Sequence, residues 1–288
     1  MKNTTMKHFY LFLLLLFMFP TIHAQEELLR ELQGELQVDP TVTSVFKGLK
    51  IVNLESTKLA AQGDLYFVIA HRFGSVKGGF KELYGLDGAK IRFSFVYGLT
   101  DWMTVGLSRS SMDKTYDVSS KLKIQTQEKN GFPFSIVAFG ALAYKTATPD
   151  FSYVNFKDKH RVNYLAELLI SRKMNEALSL QIAPIFWHEN FTPFDNQKNG
   201  QYALGFGGRY KLSNRLTLNM DYVAHANRAH QNTFVNPLSI GFDIETGGHV
   251  FQLHFTNSQQ MNDAGFLNAT GDWFAGDVFF GFNLARVF

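Results

Sequence analysis

The sequence predicts an all-β protein, a transmembrane up-and-down antiparallel β-barrel of about 12 strands preceded by a short N-terminal periplasmic helix. Three observations carry this reading. Apolar and polar residues alternate with period two from Asp64 onward. The connections between the alternating segments are short and long in turn. The composition combines 29 Phe and 23 Gly with only 18% charged residues and a mean hydropathy of −0.10. Strands with one face in lipid and one in water give that mixture. A membrane helix needs ~20 consecutive apolar residues, and no such run follows the N-terminus.

The first element, residues 1–24, reads as a signal peptide. Lys2 and Lys7 form a positive start, Phe9 to Phe19 is an apolar run too short to span, and Pro20 precedes a cleavage point after Ala24. Removing it leaves 26 Lys and Arg against 25 Asp and Glu, so the charge balance gives no reason to expect nucleic acid as a partner. The chain has no cysteine, which excludes disulfides, thiolate metal sites, a Cys nucleophile and a lipidated N-terminal Cys. Residues 25–63 read as a periplasmic lead-in segment. Within it, Leu28, Leu29, Leu32 and Leu36 fall at helical spacing, predicting a short amphipathic helix from Gln25 to Val38 that ends at Asp39-Pro40. Residues 41–63 are transitional, with a short strand at Leu49 to Leu54.

Residues 64–288 form the predicted outer-membrane β-barrel. Leu238, Ile240, Phe242 and Ile244 alternate with Ser239, Gly241, Asp243 and Glu245, and similar segments begin near Asp64, Ala89, Trp102, Thr115, Phe132, Arg161, Ala177, Gln201, Arg215, His249 and Ala275. Short turns fall at Thr100-Asp101, around Asn130-Gly131, at Lys173 to Glu176, at Ser213-Asn214 and at Thr246-Gly247-Gly248. Long connections fall at 74–88, 146–159, 191–200, 227–237 and 257–274, with an intermediate one near 110–114. Short periplasmic turns and long external loops would produce this alternation, with both termini in the periplasm and an even strand number. Tyr97, Trp102, Trp187, Tyr202 and Trp273 lie near strand ends and suit interfacial girdles. Gly205-Phe206-Gly207-Gly208 sits inside a strand, where glycine relieves crowding or permits a bend.

The last segment places Val278, Phe280, Phe282 and Leu284 on one face and ends in Phe288, similar to the C-terminal signal of bacterial outer-membrane proteins. Several stretches also resemble a Bacteroidetes family of outer-membrane β-barrels classed as a domain of unknown function. They are His71-Arg72-Phe73-Gly74, Gly85-Leu86-Asp87, Tyr97 to Asp101, Lys114 to Asp117, the block Asn236 to Ser258 and the terminal GFNLARVF. The resemblance covers roughly residues 45 to 288. It implies the barrel and the outer membrane, and brings no activity or catalytic residues.

The remaining chemistry is expected in the lumen. Parity places Arg92, Asn163, Glu167, Gln181, Arg209, Asp221, Asp243, Glu245, Gln252 and His254 inward as pore-lining candidates. Standing apart they would line a narrow pore; paired across the interior they would plug it. His249 and His254 fall on opposite strand faces, His225 and His230 straddle a strand end, and no dense ligand spacing occurs, so no metal or other cofactor is expected. No spacing of Ser, His and Asn singles out a catalytic triad, so no enzyme is expected. The primary reading is a porin-like transport channel for small polar solutes. The alternatives are a non-conducting structural or assembly barrel and a lipid-modifying outer-membrane enzyme. The expected partners are outer-membrane lipid, the barrel-assembly machinery and a small polar solute.

Overall fold

The computed structural model describes residues 41–288, apart from 43–44, 148–155, 193–195, 230–232 and 247–248. The expected signal peptide and amphipathic helix lie outside the described residues. The strands are β1 (Leu65–Ser75), β2 (Ala89–Thr100), β3 (Met103–Ser110), β4 (Thr115–Gln125), β5 (Ser135–Lys145), β6 (Val162–Lys173), β7 (Leu178–Glu189), β8 (Gly200–Lys211), β9 (Leu216–His225), β10 (Leu238–Thr246), β11 (His249–Thr256) and β12 (Phe279–Val287). Each starts within four residues of its expected position.

Every strand pairs antiparallel with its neighbours in the chain, and β1 closes on β12. At the seam Leu65 and Phe288 exchange both backbone hydrogen bonds, at 3.2 and 2.9 Å. Closure leaves no strand edge unpaired, which a sheet in a membrane requires. Short and long connections alternate as expected, so one end of the barrel carries the tight turns together with Leu65 and Phe288, and the other carries the long loops.

The period-two pattern becomes an inside and an outside. Ile240 pairs with Met220 and Phe255, all exposed on the outer face, whereas the neighbouring row of Ser239, Asp221 and Thr256 is buried. Across the β1–β12 seam on the outside, His71 stacks on Phe282 and Phe73 stacks on Phe280. Arg286 lays its guanidinium over the Phe288 ring, 4.6 Å from the centroid, at the barrel end where a long cation can reach water. Tyr97, Trp102 and Tyr202 are exposed near strand ends, in keeping with girdle positions. Trp187 is a correction: it is completely buried inside the barrel, edge-on to His225 at 5.1 Å. Trp273 is half-buried and donates from Nε1 to the carbonyl of Leu238.

The interior also departs from the expected lead-in. Residues 41–63 belong to the same compact unit as the strands, and Val45, Phe46, Ile51, Val52, Leu54 and Ala60 are buried. Leu49 to Leu54 is a tight bend within the lumen and not a strand, with Ile51 N donating to Leu54 O at 2.8 Å and Ser56 N to Leu49 O at 3.0 Å. This plug enters from the short-turn end, where the chain passes into β1. The β11–β12 connection folds inward from the long-loop end, burying Met261 to Ala269.

Candidate functional site

The lumen has two unlike walls. On β5 to β9 the inward row is largely apolar: Val137, Phe139, Leu165, Leu169, Ala183, Ile185, Trp187 and Val223 form one core with Val45, Phe46, Ile51 and Leu54 of the plug and Phe266 and Leu267 of the inward loop. A water-filled pore would leave these side chains wet. The plug covers them, at roughly 25 cal/mol per Å² of apolar surface removed from water. Glycine makes room for it on β8. A Cβ at Gly205 would stand 3.1 Å from both Leu54 methyls, and one at Gly207 would collide with Ile51 Cδ1.

Polar inward side chains from both walls hold the plug by its backbone. Asp221 Oδ2 accepts the successive amides of Val52, Asn53 and Leu54 at 3.0, 2.7 and 2.9 Å. Lys121 Nζ donates to the carbonyls of Leu49, Ser56 and Lys58 at 2.7, 2.8 and 3.1 Å. Gln181 donates to Glu55 O at 2.7 Å, and Gln252 donates to Ile51 O. The Asn53 side chain donates to Ser239 and Thr256 and accepts from Arg72. A bend has no ladder partners for these groups, so the barrel's side chains satisfy them.

A charged cluster ties plug, wall and inward loop together. Glu55 pairs with Lys50 and, at 2.8 Å, with Lys121. Asp263 of the inward loop pairs with Lys50 and, at 3.3 Å, with Arg92, which also pairs with Asp117 at 2.5 Å. Burial works against the Lys50 charge, but Asp263 and Glu55 outweigh it and hold the ammonium above the usual lysine range. Burial likewise disfavours the Asp263 charge, but Lys50 and Arg92 hold the carboxyl well below the ordinary carboxylate range. Such a cluster is costly to desolvate and costly to break, because any one deletion strands a buried charge.

All ten sequence-predicted lumen residues lie on the inner face, nine of them buried and Glu245 half-buried. The plug stands between many of them and any solute. Gln181, Asp221 and Gln252 bond the plug backbone, Glu245 accepts from Lys47 at 3.1 Å, and Asp243 accepts from Gln252 at 2.7 Å. Asn163 is buried at the long-loop end of β6. Neither oxygen of Glu167 and neither ring nitrogen of His254 has a hydrogen-bond partner, and Arg209 Nε also lacks one. Among the described residues, no group of three His, Cys, Asp or Glu side chains is placed to hold a metal ion.

A cavity of about 110 Å³ lies between the plug and the wall formed by β11, β12 and β1 to β4. Arg92 and Gln252 of the ten border it, joined by Lys50, Glu55, Arg72, Lys121 and Asp263, which the sequence reading did not single out. Parity is the signal that could have found Arg72, Asp117 and Lys121, since each repeats the register of its strand's buried positions. Glu55 and Asp263 lie outside strands and carried no such signal.

The family model described as "Membrane bound beta barrel domain (DUF5777)" matches residues 46–288. The chain belongs to this family. The match takes in most of the plug as well as all twelve strands, so the family's membrane-bound barrel includes the segment that fills it. Among solved structures the chain is similar to the NanC porin, with 9% identity, a TM-score of 0.50, and coverage of 77% of this chain and 98% of that one. It also matches an outer membrane channel of the COG4313 group from Pseudomonas putida F1, with 13% identity, a TM-score of 0.47, and coverage of 80% and 97%. The KdgM porin gives 9% identity, a TM-score of 0.48, and coverage of 78% and 99%. At these identities the NanC likeness speaks to the fold alone. Among curated proteins none matches.

Proposed function

We propose that this protein is an outer-membrane channel for small polar solutes whose conductance is restricted by its own plug, with both termini facing the periplasm. The cavity between the plug and the β1–β4 wall carries this reading. It extends from Lys47, Val250 and Ala285 toward the short-turn end to Arg92, Met261 and Asp263 beneath the inward loop, and small or polar side chains border much of it. Ser94, Thr104, Gly106, Ser108 and Ser119 leave space on that wall where bulky residues would have sealed the plug to it. The wall of β5 to β9 is sealed in that way. The alternation of short and long connections supports the orientation, and the family supports the membrane setting. The partners proposed are outer-membrane lipid, the assembly machinery that inserts barrels, and the solute; no nucleic acid and no catalysis enter this reading.

Planar-bilayer recording tests it. The full chain should give small, discrete conductance steps, and a variant lacking residues 41–60 should give steps several times larger. A folded barrel that stays silent in both forms overturns the channel reading. That result would favour a structural or assembly barrel, for which the many plug bonds to Asp221 and Lys121 already offer a rationale.

A further inference from the structure

We propose that three arginines on the lipid-facing side of the barrel, Arg109, Arg172 and Arg286, are clamps for the phosphate groups of membrane lipids. This rests on the membrane setting of the proposed function and not on conduction.

The register puts all three on the outside. Arg109 pairs with Phe93 and Tyr116, Arg172 with Leu180, and Arg286 with Phe67 and His249. Phe93, Tyr116 and Leu180 are exposed on the outer face, and Phe67 stacks with Phe93 and Phe95 there. Each arginine stands one residue from the end of its strand, Arg109 at the long-loop end of β3, Arg172 and Arg286 at the short-turn ends of β6 and β12. The rest of the outward row is uncharged on all three strands, from Met103 to Leu107, from Val162 to Ile170 and from Phe280 to Leu284. A strand crosses the apolar layer in roughly 9–11 residues, so these strand ends reach the headgroups, where a lipid-facing arginine costs least.

Each guanidinium also lies over an aromatic ring: Arg109 over Tyr116 at 5.6 Å from the centroid, Arg172 over Phe134 at 5.8 Å and Arg286 over Phe288 at 4.6 Å. A ring engages the flat face of the cation and leaves its N–H edge free. Among the described residues no carboxylate lies within ion-pair distance of any of the three, whereas Lys50, Arg92 and Lys121 in the lumen are all paired. The free edge is a fork of donors that matches two phosphate oxygens in parallel bonds. Lipid phosphates lie in the layer that meets the strand ends, so the membrane supplies the counter-ion that the protein does not. With one clamp at the long-loop end and two at the short-turn end, both leaflets are gripped.

The probe is dimyristoylphosphatidylglycerol, added to the purified full chain in non-ionic detergent and followed by native mass spectrometry. Dimyristoylglycerol, with the same chains and no phosphate, is the control, and inorganic phosphate is the competitor. Wild type should retain the phospholipid in preference to the control. Combining Arg109→Gln, Arg172→Gln and Arg286→Gln should weaken retention by about tenfold or more, the loss expected for a charged hydrogen-bonding partner. Replacing the same three by Lys keeps the charge but not the fork and should fall between; it carries the test if the Gln variant does not fold. Equal retention of phospholipid and control, equal retention by wild type and a folded variant, or displacement by inorganic phosphate at the lipid's own concentration each overturns the inference. Phospholipid retention by a barrel that is silent in bilayers leaves the clamps standing and sinks the channel reading; a conducting barrel without the preference does the reverse.

Discussion

Ile51 of the plug occupies the space that a side chain at Gly207 would need. A Cβ built on Gly207 would overlap Ile51 Cδ1, and the adjacent inward glycine, Gly205, meets Leu54 in the same way. Gly207→Ala should be mild, because a terminal methyl can turn aside. Gly207→Leu cannot coexist with the docked plug and should cost about 1–3 kcal/mol, the range for overpacking. Faster hydrogen exchange at residues 50–56, with the strand amides unchanged, would confirm it. Unchanged exchange would show that the plug is not seated against β8.

Asp221 should be the strongest single hold on the plug. Asp221→Ala leaves three buried amides, of Val52, Asn53 and Leu54, without their acceptor, at about 1–3 kcal/mol each before relaxation. The expected result is a barrel that still migrates as folded on gels but is readily cleaved by protease within residues 41–60. Asp221→Asn keeps one acceptor oxygen and should fall between Ala and wild type.

Lys121 and Glu55 form a pair at 2.8 Å between wall and plug, and each has further partners in the cluster. Lys121→Met alone should destabilise by about 3–5 kcal/mol, the range for breaking a buried pair. Adding Glu55→Gln should recover part of that loss, so a double-mutant cycle in urea unfolding should show coupling between the two sites. Simple additivity would mean that the pair is not coupled.

The inward loop should be released by acid. Asp263 has a carboxyl held well below the ordinary range by Lys50 and Arg92 against the opposing effect of burial. Its pairing therefore contributes stability that is fully present above the unfolded value of about 4 and is lost as pH falls toward the folded value. Pepsin should nick the β11–β12 connection increasingly as pH drops from about 4 to about 2. In Asp263→Asn the nicking should already be present at the upper pH. Identical pH profiles for the two proteins would refute the assignment.

The strands were legible because each repeats its own signal locally: alternation at Leu238 to Glu245 needs nothing beyond eight residues to be read. The plug was not. Leu49 to Leu54 looks like a short strand, and it becomes a bend because partners as distant as Asp221 and Gln252 satisfy its backbone. One clue was present. Leu165 and Leu169 share parity with Asn163 and Glu167, and Trp187 shares parity with Gln181, so the same parity puts bulky apolar groups on the face expected to be wet. Following that parity through would have moved Trp187 from the girdle to the interior and asked what dry object it meets. The charged cluster was partly hidden for another reason, since Glu55 and Asp263 sit in irregular segments where no period applies.

The plug lies at the beginning of the described chain, while the groups that fasten it come from nearly the whole barrel: Lys121 on β4, Gln181 on β7, Asp221 on β9, Gln252 on β11 and Asn283 on β12. A ribosome therefore delivers the stopper long before the receptacle. Until β12 zips onto β1, residues 49–56 have few of their final bonding partners, and afterwards they are ringed by a continuous wall. Contacts of such sequence separation form slowly. Insertion of this barrel is thus an act of enclosure, in which the last strand to arrive seals in a segment made well before it.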